Sequence, residues 1–103
     1  MLQTSRIRQV TFGAEMFMVR LLDGRIIETP YYWFPRLAEA TTEERESYIL
    51  HGKSTIILWE ALNEAISIEM LLLGIPDQTT SARAWRARHG VAFMDEQIVA
   101  QAA

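Results

Sequence analysis

The sequence predicts an α+β domain, a small antiparallel sheet built on a β-hairpin with short helices packed on it and a helical C-terminal tail. Three observations predict it. The apolar run MFMVRLL at residues 16–22 is followed at once by Asp23-Gly24, the pair that suits a tight type I′ hairpin turn, and then by a second β-forming stretch at residues 25–29. Capping residues stand before short helical segments at Thr41 or Thr42 and at Ser67. Pro30 closes the strand at residues 25–29, Pro35 suits the first turn of a short helix, and Gly74 and Pro76 stop another.

The elements follow in order. Residues 5–10 form a first short strand, residues 16–22 a buried strand and residues 25–29 its antiparallel partner, closed by Pro30, which has no N–H to donate. The aromatic cluster Tyr31, Tyr32, Trp33, Phe34 lies at the junction, and Pro35 suits the first turn of a short helix through residues 36–38. Thr41 with Glu44 three residues later is a capping-box pattern, with Glu43 favourable near the positive helix end, and opens a helix over residues 43–50. His51-Gly52-Lys53 is a turn. Residues 54–59, β-branched at Thr55, Ile56 and Ile57, form another strand. Ser67 caps a helix over residues 68–73, stopped by Gly74 and Pro76. A compact domain therefore spans residues 1–77, and a helical tail residues 78–103, with one helical segment ending at Gly90 and a last one from Asp95 onward.

A chain of 103 residues holds one domain, and its 50% apolar and 22% charged residues place it away from disorder. Ten basic residues face thirteen acidic ones, so a nucleic-acid contact needs a local basic patch. Nine of the ten are Arg, which favours salt-bridged or contact surfaces over a merely solvated one. There is no Cys, so disulfide and thiol chemistry are excluded. The N-terminus lacks an apolar signal region, and the apolar runs fall far short of the ~20 residues that cross a bilayer, so a cytoplasmic protein is expected.

Three segments resemble a family of small prokaryotic proteins known as domain of unknown function 2442: LLDGR at residues 21–25, YYWFPRLAEATTEERESY at residues 31–48, and ILWEALNEAISIEMLLLG at residues 57–74. The spacing from Trp59 through Leu62, Ile66 and Ser67 to Gly74 fits without gaps. Three positions depart from the family pattern: Leu58 stands where His is usual, Glu60 where Pro is usual, and the acidic stretch is reduced to Asn63-Glu64-Ala65. The resemblance implies an α+β domain without known catalytic activity. It also implies a place among genes encoded beside other small uncharacterised proteins and suspected of forming toxin–antitoxin-like pairs. Some relatives carry an added helix-turn-helix domain, for which the 26 residues after Asp77 are too few.

Few residues suggest chemistry. His51 and His89 are the only imidazoles and lack the companion ligands of a zinc site, so both are expected to be turn or helix-end residues, with no metal and no cofactor. Glu39, Glu43, Glu44 and Glu46 read as a solvated acidic face that serves the helix start, and Asp23-Gly24-Arg25 as a turn rather than a phosphate loop. Trp33 and Trp59 are expected to fill the core with their indole N–H groups on backbone acceptors. Arg36 has two readings, a structural ion pair with a nearby Glu or a surface contact. The motif Arg83-Ala84-Trp85-Arg86-Ala87-Arg88 has three: a helix that docks Trp85 on the body, a protein-binding surface, or a phosphate-binding one.

The function expected is a non-enzymatic protein-interaction or regulatory module, the antitoxin-like member of a two-gene pair. Its partner contact would run through Trp33, Arg36, Arg83, Trp85, Arg86 and Arg88, and the partner would be a neighbouring-gene product. A nucleic-acid-binding regulator using Arg83, Arg86 and Arg88 is the alternative. A core this small, with an exposed sheet edge and an apolar C-terminal segment, gains from pairing as a homodimer.

Overall fold

The computed structural model describes residues 6–91. The expected last segment from Asp95 to the C-terminus lies outside them.

The chain forms an α+β globule of two three-stranded antiparallel sheets with short helices. Strands β1 (Ile7–Phe12), β2 (Met16–Leu21) and β3 (Ile26–Pro30) make the first sheet in that order. Asp23-Gly24 turns the chain between β2 and β3 as expected, but only Gly24, at φ 96°, has positive φ; Asp23 does not. The Gly24 N–H donates to the Leu21 carbonyl at 3.0 Å, so the turn is the type I form followed by a left-handed Gly rather than type I′. The Asp23 carboxylate stiffens it by accepting from the Arg25 N–H at 3.0 Å and from Arg25 Nε at 2.8 Å.

After Pro30 the chain makes a 3-10 turn at Tyr31–Trp33 and helix α1 (Pro35–Ala38), whose first residue is proline as expected. Helix α2 (Thr42–Glu46) begins with the full capping box, Thr41 and Glu44 each accepting from the other's backbone N–H. It is shorter than the helix expected over residues 43–50. Ser47 at ψ 49° ends it, and the β-branched Ile49 starts strand β4 (Ile49–His51) instead. Strand β5 (Ile56–Trp59) pairs with β4 across a turn in which Gly52, Lys53 and Ser54 all have positive φ. A strand not expected, β6 (Glu64–Ser67), completes the second sheet in the order β4-β5-β6, after Asn63 reverses the chain at φ 52°.

Helix α3 (Ile68–Leu73) is capped by Ser67, whose Oγ accepts from the Met70 N–H at 3.2 Å, and ends on Gly74 at φ 71°. Helix α4 (Thr80–Arg88) is capped by Thr79, which accepts from the Ala82 N–H at 3.2 Å.

The inner faces of both sheets share one core. Ile7, Val10, Phe17, Val19 and Leu21 from the first meet Ile57, Trp59 and Ile66 from the second, with Tyr31, Phe34 and Leu37 between them. Aromatic rings bind the layers: Phe17 lies 6.0 Å from Tyr31, 6.2 Å from Phe34 and 6.5 Å from Trp59, in stacked or edge-on arrangements that add to simple burial. Trp59 is buried as expected, and its indole N–H donates to the Arg45 carbonyl at 2.8 Å. Trp33 is only half-buried, at the margin of the core. Arg45 ties α1 to α2: Nε donates to the Leu37 carbonyl at 2.8 Å, and the guanidinium lies over the Tyr31 ring at 3.9 Å.

A groove between α1 and α4 as the candidate functional site

The place of α4 follows from one residue. Arg86 is 1% exposed, although three Arg side chains facing solvent or a partner were expected from this segment. Its guanidinium fork donates to three backbone carbonyls, those of Tyr32 and Trp33 at 3.3 Å and that of Asp77 at 2.8 Å. A planar cation with several donors can satisfy clustered carbonyls as no apolar residue could. Arg86 is therefore a docking residue rather than an exposed contact. Asp77 supports the same joint, its N–H donating to the Trp33 carbonyl at 3.0 Å and its Oδ1 accepting from the Thr79 N–H at 3.0 Å.

With α4 held in this way, a groove of about 260 Å³ opens between it and α1, lined by Pro35, Arg36, Glu39, Asp77, Ser81, Ala82, Trp85 and Arg88. Trp85 is half-buried on its wall. The indole N–H donates to Glu39 Oε2 at 2.6 Å, and the ring stacks on His89 with centroids 3.9 Å apart. His89 also lies against the Trp85 carbonyl, its Nδ1 2.7 Å from that oxygen, so it completes the helix end. Arg36 and Arg88 bring positive charge to the groove, and Glu39 and Asp77 negative charge.

Arg36 donates to the carbonyl of Asn63, at the turn before β6. Its anchor is thus a backbone carbonyl rather than a Glu of its own neighbourhood, but its charge is felt by Glu64. That carboxyl is 8% exposed, and its Oε2 is buried with no hydrogen-bond partner among the described residues. Burial pushes its pKa above 4.5, the nearby Asp77 charge pushes it further, and Arg36 pulls it back.

Of the six residues expected to form a contact surface, the structure brings Arg36, Trp85 and Arg88 to this groove. Arg83 is exposed on α4 but does not line it, Trp33 supplies a carbonyl to the joint beneath, and Arg86 is buried. Glu39 had been placed on a solvated acidic face, and Asp77 and Ser81 carried no signal; only the fold puts them opposite Trp85. Among the described residues no group of three or more His, Asp or Glu side chains is placed to hold a metal ion, and no helix is long and apolar enough to cross a membrane. Leu58 and Ala65 are cross-strand neighbours on β5 and β6.

Fold and site together define a small α+β domain with a mixed-charge groove, and residues 7–77 match the family described as Protein of unknown function (DUF2442). The chain belongs to that family. No curated protein matches it. Two solved structures show the same fold at 20% identity. One is a crystal structure of a protein of unknown function from Rhodospirillum rubrum, with a TM-score of 0.63 over 74% of this chain and 93% of that one. The other is a solution structure of an uncharacterised protein from Chromobacterium violaceum, with a TM-score of 0.65 over 85% of this chain and 79% of that one.

Proposed function

We propose that the chain is a protein-interaction or regulatory module whose contact surface is the groove between α1 and α4. The observation that supports this reading is the construction of that groove. A buried Arg86 holds α4 in place so that Trp85, an amphipathic ring suited to contacts, stands half-exposed beside Arg36 and Arg88. Both signs of charge flank the ring, which suits a polypeptide with its own mixed charges better than a uniformly anionic backbone. The nucleic-acid alternative counted on three Arg side chains. With Arg86 turned inward it rests on Arg83 and Arg88 alone, and on a chain of net charge −3.

The partner proposed is the product of a neighbouring gene, in the manner of a small cytoplasmic antitoxin-like protein, with no catalytic step in this chain. Co-expression of the two, followed by size-exclusion chromatography, tests it. A joint peak is expected from the native chain and separate peaks from Ser81→Arg, which fills the groove, and from Arg88→Glu; circular dichroism confirms that both variants fold. Separate elution of the native pair, or a complex that ignores both substitutions, sinks the proposal.

A further inference from the structure

The outer face of the first sheet carries a pattern that the groove does not use. Met18 on β2 is directly opposite Glu28 on β3, and Arg20 is opposite Ile26. All four side chains point away from the core, because residues two apart on a strand share a face and the intervening Val19 is buried. They form the corners of a block about 4.8 Å wide, the spacing between strands, and roughly 6.7 Å long, two residues along a strand. The charged residues occupy one diagonal and the apolar residues the other.

Three corners of the block, Arg20, Ile26 and Glu28, are exposed, and Met18 is half-buried. Ile26 borders, with Met18, Arg20, Gln9 and Thr11, a small depression of about 70 Å³. Arg20 and Glu28 are both exposed, and neither has a side-chain ion-pair partner among the described residues.

We infer that this face pairs with the same face of a second copy of the chain about a two-fold axis lying along the Met18–Ile26 diagonal. Such an axis returns the apolar corners close to themselves, so Met18 and Ile26 pack on their own symmetry mates. It exchanges the charged corners, so Arg20 of each copy meets Glu28 of the other, giving two equivalent ion pairs from one self-complementary patch. The strands of the two copies then cross near a right angle, one of the two arrangements in which sheets pack face to face. Side-by-side pairing of sheet edges would leave this diagonal unused. The patch is smaller than the ~800 Å² per partner typical of stable complexes, so the dimer is weak and depends on concentration.

The test exploits the exchange of corners. Native chain is followed by sedimentation equilibrium from micromolar to millimolar concentration beside Arg20→Glu, Glu28→Arg, their double variant, and an equimolar mixture of the two single variants. Circular dichroism checks each fold. The native chain should associate, and each single variant, facing like charges twice, should associate at least about tenfold more weakly. The double variant should regain association, and so should the mixture, because an Arg20→Glu copy facing a Glu28→Arg copy forms one native and one reversed pair. A native chain that stays monomeric overturns the inference. Single variants that dimerise like the native chain place any interface elsewhere and overturn it too, and weakened variants that fail to recover on mixing rule out the two-fold exchange. None of these substitutions touches the groove between α1 and α4, so the result is independent of the partner proposed there.

Discussion

At the scale of single residues, two buried ionisable groups decide most of what is specific to this chain. Arg86→Met keeps the bulk of the stem but takes the guanidinium donor from the carbonyls of Tyr32, Trp33 and Asp77, leaving that of Trp33 with the Asp77 N–H. With charged hydrogen bonds worth about 1.5–3 kcal/mol, a loss of roughly 3 kcal/mol is expected in urea unfolding. Glu64 acts in the opposite sense. Its folded-state pKa is raised, so the folded protein holds this proton more readily than the unfolded chain. The contribution is favourable below 4.5, where the carboxyl is protonated in both states, and is lost as the pH rises from there through the raised value. Glu64→Gln removes that loss, and its stability advantage over the native chain should grow as the pH rises through this window; a gap that does not change with pH would contradict it. Residue-scale legibility was uneven. Trp59 could be read from the sequence because a large ring in a β-branched run has few other places to go. Arg86 could not, since Arg83, Arg86 and Arg88 are chemically alike and only the helix phase relative to Asp77 and Trp33 separates them.

At the scale of elements, capping chemistry made the helix starts legible, and its absence explains the strands that were missed. Thr41 and Ser67, both legible as caps, accept hydrogen bonds from the first turns they precede; Thr79 does the same for α4 and was not read as a cap. Thr41→Ala should lose about 1 kcal/mol by dismantling the capping box, measured as a shift in denaturation midpoint at unchanged slope. Gly74→Ala tests the other end of a helix. A Cβ there would meet Trp33 at an unstrained 3.8 Å, so the cost, about 1 kcal/mol, comes from the left-handed backbone alone. Strand β4 was hidden because three residues carry too little alternation to outweigh the capped helix before them. Strand β6 was hidden because Glu64, a charged residue, occupies one of its inward positions and breaks the apolar pattern. The hairpin of β2 and β3 was the most legible element, since the Asp-Gly signal and the alternation of Phe17, Val19 and Leu21 point to one register. Its turn type was less so, because the same pair serves both turn geometries.

At the scale of the whole molecule, the helix beyond Asp77 is tied to the body through Arg86, Trp85 and the buried Ala82. A chain ending at Asp77 would lose these ties and uncover Pro35, which is buried in the intact protein and lines the groove against α4. It is expected to unfold at clearly lower denaturant than the full chain, by on the order of 3 kcal/mol; equal midpoints would show that the helix is a passive appendage. The α+β class and the family were legible because they rest on local signals spread along the chain. The division into two sheets and the groove were not, because both depend on which surfaces meet over long sequence separations.

Each sheet is made from strands that are consecutive in the chain, residues 7–30 for the first and 49–67 for the second, with α1 and α2 between them. Neither sheet waits for a distant segment to complete its ladder. Contacts of short sequence separation close with little loop entropy, so each sheet can nucleate independently and the slow step becomes the meeting of two preformed layers around Phe17 and Trp59. During synthesis from the N-terminus, the first sheet would have all its strands paired before the second leaves the ribosome, and its apolar inner face would then wait for its cover.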